Sequence, residues 1–187
     1  MYNSWVGYLS HDERRTELLH AAVRVLERDG LAAVTSRAVA SEAGVSPGLV
    51  HHRFATTSEL AAEAWLAYVE RERTAYELET PVPGRPAVDA FFAPFGEGDL
   101  AGLARWADAW RHAQSDERFA GAFAESYRAL ERSLAERIPG TGDRRAAASR
   151  LLLIAFGVAG AQRIDPGLIP DPGAVMVAAV DRELATD

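Results

Sequence analysis

Residues 35–54 read TSRAVASEAGVSPGLVHHRF, and this stretch decides the fold. Thr35 is an N-cap residue for a short helix whose apolar side is Ala38, Val39, Ala40 and Ala43. Gly44 follows at once; glycine enters the left-handed region without a Cβ penalty, so it stops the helix and turns the chain sharply. Val45 is a buried anchor in the turn. Ser46-Pro47 is a second start signal, with serine as cap and proline at the first helical position. Val50 and Phe54, four apart, give the second helix one inward face and leave Pro47, Gly48, Leu49, His51, His52 and Arg53 for the surface. Two short helices meeting at a glycine, the second polar on its outer side, predict a helix-turn-helix. An ordinary helical hairpin shares this pattern, and the flanking chain has to separate the two.

On the N-terminal side, Ser10 and Glu13 form a capping box, and Leu18, Leu19, Ala22, Val25 and Leu26 recur at helical spacing up to Asp29-Gly30. This helix can lay its stripe across the two short ones and complete a three-helix unit. Arg14 and Arg15 at its start read as solvated cations, with phosphate as the alternative. On the C-terminal side, Thr56 and Glu59 form another capping box and open a long helix that runs to about Thr80, where Pro81 stops it. At 1.5 Å per residue it spans roughly 36 Å, long enough to link the three-helix unit mechanically to the C-terminal helices.

Beyond the PVPGRP loop at 81–86 the spacing predicts helices over Ala87–Phe95, over Leu100–Gln114 and, capped by Asp116, up to Ile138. Arg144–Ile164 contains LLLIAFGVAGA, apolar almost all round, and Asp171-Pro172 starts a last helix carrying Val175, Met176, Val177 and Val180. No strand alternation or internal repeat occurs, so the class is all-α: a helix-turn-helix unit at 1–55 followed by a helical domain at 56–187. The two terminal helices carry more apolar surface than one subunit core covers, which predicts a four-helix bundle with a second copy through Leu152, Phe156, Ala159, Met176, Val180 and Leu184. Two copies also suit DNA, since twofold proteins read half-sites roughly 34–36 Å apart or a multiple of it. The aromatics Trp65, Tyr68, Phe91, Phe92, Phe95, Trp106, Trp110, Phe119, Phe123 and Tyr127 crowd the middle segment. Plain core is one reading; the other is an apolar effector pocket with Arg111, His112, Gln114, Ser126 or Gln162 as its polar groups.

Composition narrows the classes. The 187 residues carry a net charge of −7, and all twenty cations are arginine. Six arginines against seven acids give −1 for residues 1–60, and fourteen against twenty give −6 for 61–187, so the acidity sits mainly outside the helix-turn-helix. Modest non-specific DNA affinity with strong salt dependence is the consequence. Without cysteine there is no disulfide or thiolate metal site. The opening MYNSWVGYLSHDE lacks the charge and apolar run of a signal peptide, and the apolar run Leu151–Ala161 is too short to cross a bilayer; the expected location is cytoplasmic, with no membrane partner. Gly44–Gly48 matches the G-x-S-x-G nucleophile elbow in letters only, because that motif needs a strand entering the turn. No metal-ligand spacing or catalytic constellation occurs, so no cofactor and no enzyme activity are expected.

Leu18-Leu19-His20-Ala21-Ala22, Asp29-Gly30-Leu31, Thr35–Phe54 and Ser58-Glu59-Leu60, in this order, resemble the TetR family of bacterial transcriptional regulators. The segments WADAWRHAQSDERFAGAFAESYRAL and RLLLIAFGVAGAQRIDPGLIPDPGA are similar to its betaine-repressor-like branch. The resemblance implies a homodimer whose N-terminal helices bind operator double-stranded DNA, most often as a repressor, and whose C-terminal helices enclose a pocket for a small hydrophobic effector. It places Thr35, Ser36 and Arg37 near phosphate and puts Ser46, Pro47, Gly48, Leu49, His51, His52 and Arg53 on or beside the recognition helix. The chain departs from the pattern at His51, where a tyrosine is usual, at Arg53, commonly aromatic or histidine, and at Thr57, where a lysine often clamps a phosphate. The N-terminal arm also lacks the usual basic residues. These departures keep open an alternative: a small-molecule binding protein whose DNA affinity is weakened or lost.

Overall fold

Thr35, Gly44 and Pro47 set the helix ends around the turn. In the computed structural model, which describes residues 11–97, 100–140 and 142–185, the helices are α1 (His11–Asp29), α2 (Ser36–Ala43), α3 (Pro47–Arg53), α4 (Thr57–Glu79), α5 (Arg85–Glu97), α6 (Leu100–Ala113), α7 (Glu117–Arg137), α8 (Arg144–Ile164) and α9 (Pro172–Leu184). No strand occurs among the described residues. Ser10 of the first capping box lies outside them.

Thr35 accepts the Ala38 amide through Oγ1 at 3.2 Å, and Gly44 closes α2 at φ 67°, its own amide reaching Ala40 and Ser41 carbonyls. Ser46 stands at the N-cap of α3 with extended backbone but makes no side-chain cap bond; Pro47 alone presets that start. Val45 is half-buried rather than fully buried. Thr56 Oγ1 accepts the Glu59 amide at 3.0 Å, while Glu59 reaches back to the Ala55 amide at 2.8 Å, one residue short of the reciprocal capping box.

The chain divides into two compact units, Met1–Ala67 and Tyr68–Asp187, with the dividing point inside α4. In the first, α1 packs on α2 and α2 on α3 around Leu18, Ala22, Leu26, Val39, Val50, Phe54 and Leu60, all within 1% of complete burial. In the second, α8 packs against α6, α7 and α9, and α5 lies along α9. The core there gathers Val88, Phe92, Phe95, Leu134, Leu151, Leu152, Val158, Met176 and Val180. Glu131, only 7% exposed, accepts Ser149 Oγ and then Arg145 Nε across α7 and α8, and these donors hold its carboxyl below the usual carboxylate range.

One expectation needs correction. The apolar run in α8 is short, but the whole 21-residue helix has the length and hydropathy of a membrane-crossing segment. Its Ala148, Leu151, Leu152, Val158 and Ala159 are buried in the second unit.

Candidate nucleic-acid interface and effector cavity

The helix-turn-helix presents a defined outer face. Thr35, Arg37, Ser46, Pro47, Gly48, His51, His52 and Thr57 are exposed, Leu49 is half-buried, and Ser36 is 8% exposed. Val50 and Phe54 point the other way, at 0% and 1% exposure, because the four-residue spacing puts both on one side of α3.

Charge on this face is less negative than composition suggests. Glu42 of α2 accepts Arg24 Nε at 2.7 Å and Arg28 Nη1 at 2.8 Å, and Arg24 first, then Arg28, holds its carboxyl below the usual range. Arg37 has no ion pair among the described residues and is exposed to solvent. Arg53 differs from the outward cation expected of it. It is half-buried, and its Nε and Nη1 are closed off from water with no acceptor. Donors of a charged group in that position are costly, so an incoming oxyanion that drew Arg53 outward would relieve the cost.

Arg15 is not the freely solvated cation expected of it, and it is half-buried. Its guanidinium is taken by Glu63, by the Arg53 carbonyl and by the ring of Phe54. These partners lie 38 to 48 residues away along the chain, so no local pattern announces them.

The second unit holds a cavity of about 400 Å³, within the range of small-molecule sites. Tyr68, Glu72, Arg73, Ala75, Tyr76 and Glu79 of α4 form one wall; Phe91, Phe92 and Phe95 of α5, Leu103 and Trp106 of α6, Leu130 of α7 and Leu152, Ala155, Phe156 and Ala159 of α8 complete it. Five of the ten aromatics named from sequence thus line it: Tyr68, Phe91, Phe92, Phe95 and Trp106. Trp110, Phe123 and Tyr127 stand one layer back, tilted against Phe156 at 5.5, 6.0 and 5.7 Å between ring centres. Phe119 is fully buried and Trp65 belongs to the first unit; neither reaches the cavity. Phe156, placed by sequence at a dimer contact, is shared between the wall of the cavity and this second layer.

The polar lining comes from α4, not from Arg111, His112, Gln114, Ser126 or Gln162. Ser126 Oγ donates to the Phe123 carbonyl and Gln162 Nε2 to that of Ile169. Arg73 is neutralised by Glu70 and Glu77, and the hydrogen bonds it donates to Glu70 contribute most to its raised pKa. The Tyr76 hydroxyl donates to the Ala87 carbonyl at 3.1 Å, and burial pushes its pKa up. A ligand therefore meets mostly apolar walls, with carboxylates at one side.

The residues expected at a dimer contact divide differently. Leu152, Ala159, Met176 and Val180 are at most 3% exposed within their own subunit, and Leu184 packs on the same core. The apolar side chains that the two terminal helices leave in solvent are Leu153, Ile154 and Ile164 of α8 and Val175 and Val177 of α9.

Residues 18–64 match the family described as bacterial regulatory proteins, tetR family. The HTH-type transcriptional regulator BetI of Brucella anthropi is 33% identical over 110 residues, which cover 56% of each chain, so the match spans just over half of that relative's length. A transcriptional regulator from Rhodococcus sp. Rha1 superposes with a TM-score of 0.67 at 25% identity over 91% of this chain and 94% of its own. The multidrug binding protein EbrR complexed with proflavin gives 0.69 at 23% identity over 92% and 98%, a likeness of fold.

Proposed function

We propose, from the premise that this chain belongs to the TetR family of bacterial transcriptional regulators, that it binds operator DNA as a homodimer and lets go when a small, largely apolar compound fills the aromatic cavity. It is a regulator and not an enzyme, and its place is the cytoplasm, beside the DNA. By function the DNA-binding domain is 1–55 and the effector-binding and dimerisation domain 56–187.

The observation that carries the reading is the outer face of α2 and α3. Arg37, Ser46, Pro47, Gly48, His51 and His52 are presented to solvent from a helix pair held beneath by Val39, Val50 and Phe54. Phosphate contacts set register and base-edge contacts set sequence. Arg37 and Thr35, at the start of α2, are assigned to phosphate; Gly48 and Leu49 are assigned to close approach and a thymine methyl. Arg53 is a phosphate anchor that turns outward when the acceptor arrives.

The test is binding to the DNA upstream of the gene at several salt concentrations. Wild-type protein shifts this fragment at low salt, and Arg37→Ala lowers the slope of log K against log salt by about one, weakening all sequences alike. Absence of any shift at low salt would establish the alternative, a binding protein that has lost its DNA.

EbrR was seen with proflavin, and a cavity walled by Tyr68, Phe91, Phe92 and Trp106 suits a flat aromatic compound of that kind. Titration with proflavin quenches tryptophan fluorescence, and Trp106→Phe removes most of the response because Trp106 is the cavity-lining tryptophan. A response unchanged in that variant would place the compound elsewhere. Six lining residues lie on α4, whose first turns belong to the helix-turn-helix unit. A ligand that binds one setting of α4 better than another shifts DNA affinity through it.

A further inference from the structure

We infer that Arg15 is the positioning residue that holds the C-terminal end of the recognition helix at its DNA-reading angle, and that it does so without touching DNA. The inference rests on the DNA-binding reading above. α3 has seven residues, too few to be stable alone, so its orientation is imposed from outside. Its last carbonyls lack partners within the helix. One of them, that of Arg53, accepts Arg15 Nη1 at 2.6 Å. The other terminal nitrogen, Nη2, donates to both carboxylate oxygens of Glu63 at 2.5 and 2.6 Å. The guanidinium carbon lies 4.4 Å from the centre of the Phe54 ring, the buried residue that ends α3.

One side chain of α1 is thereby fastened to α4 and to the end of α3 by three different interactions. Only a planar fork can serve all three at once, since lysine has one nitrogen and no flat face. The pair is partly screened from water, with Arg15 34% and Glu63 29% exposed, so it is stronger than a free surface ion pair. Glu63 also lies on α4 five residues before Tyr68 of the cavity wall. A movement of α4 reaches the recognition helix through this fastening.

Glu63→Gln separates positioning from simple charge. It takes the net charge from −7 to −6, so electrostatics alone tightens DNA binding. Positioning makes the opposite prediction. In full-length protein, well below the melting temperature, Glu63→Gln and Arg15→Lys each weaken binding to the upstream DNA about tenfold, the loss of one charge-assisted hydrogen bond, with the salt slope unchanged. Amide hydrogen exchange at Arg53 and Phe54 rises by a similar factor of about ten while exchange in α2 stays as it was. Unchanged or tighter DNA binding in Glu63→Gln, or unchanged exchange at Phe54 in both variants, overturns the inference. If the wild-type protein binds no DNA, the regulator reading fails on that result, and the exchange measurement still decides whether Arg15 holds the helix.

Discussion

In the proposed homodimer, Leu153→Asp combined with Val177→Asp leaves a monomer and lowers its affinity for operator DNA by about 10²- to 10⁴-fold, the gain that linking two binding modules normally supplies. Leu153 is 55% and Val177 53% exposed in the subunit, so neither aspartate disturbs the core. Along α8 the outward positions 153, 154, 157 and 164 follow one helical stripe, with Gly157 also exposed. α9 adds Val175 and Val177, flanked by exposed Ala174 and Ala178. A contiguous apolar face of this kind marks an association surface, and a closed twofold pairing presents the same face from both copies. Four aspartates facing one another across that contact would be desolvated without partners, which is prohibitive. Sedimentation equilibrium reports the result as a mass near 20.2 kDa instead of twice that value. A variant that remains dimeric and keeps full DNA affinity would show that the copies join through another surface.

Gly173→Val costs about 1–3 kcal/mol, the usual penalty for forcing atoms into a packed contact. A Cβ at Gly173 would sit 2.8 Å from the Cα and 3.3 Å from the amide nitrogen of Gly96, and backbone cannot move aside as a side chain can. α5 and α9, which lie along one another, approach closely at this pair of glycines. The variant must push them apart and loosen Phe92, Met176 and Val180 beneath. Gly121→Ala supplies the contrast. It lies in the exposed side of α7, and its added Cβ meets nothing within 4 Å. There the replacement stabilises by about 0.5–1 kcal/mol, through helix propensity and a less flexible unfolded chain. Thermal melting of the two variants separates the cases, with roughly 2–4 °C expected per kcal/mol in a chain of this size. Equal and small shifts would mean that the glycine contact is looser than its geometry indicates.

What the residues determined by themselves is everything that depends on the next few positions along the chain. Thr35, Gly44 and Pro47 act within one turn, so the helix-turn-helix, its inward Val50 and Phe54 and its outward histidines were legible, as were the capped starts at Thr35, Thr56, Asp116 and Asp171 and the all-α class. A clear division between polar and apolar sides also made α1 and α7 readable. α8 has no such contrast: it is apolar almost all round, so periodicity could not say that Leu152 and Ala159 face the subunit's own core while Leu153 and Ile154 face out. The aromatics drew attention to the middle segment, but spacing could not tell Trp106, in the cavity wall, from Phe119, in solid core.

Only the tertiary structure decided contacts between residues far apart in the chain. It took Arg15 from the surface and gave it to Glu63 and the end of α3, turned Arg53 inward with two donors unused, drew the cavity's polar groups from α4, and set Gly96 against Gly173. Each depends on how whole helices lean on one another. That geometry is set by the summed burial of many side chains, and no short stretch of residues encodes it.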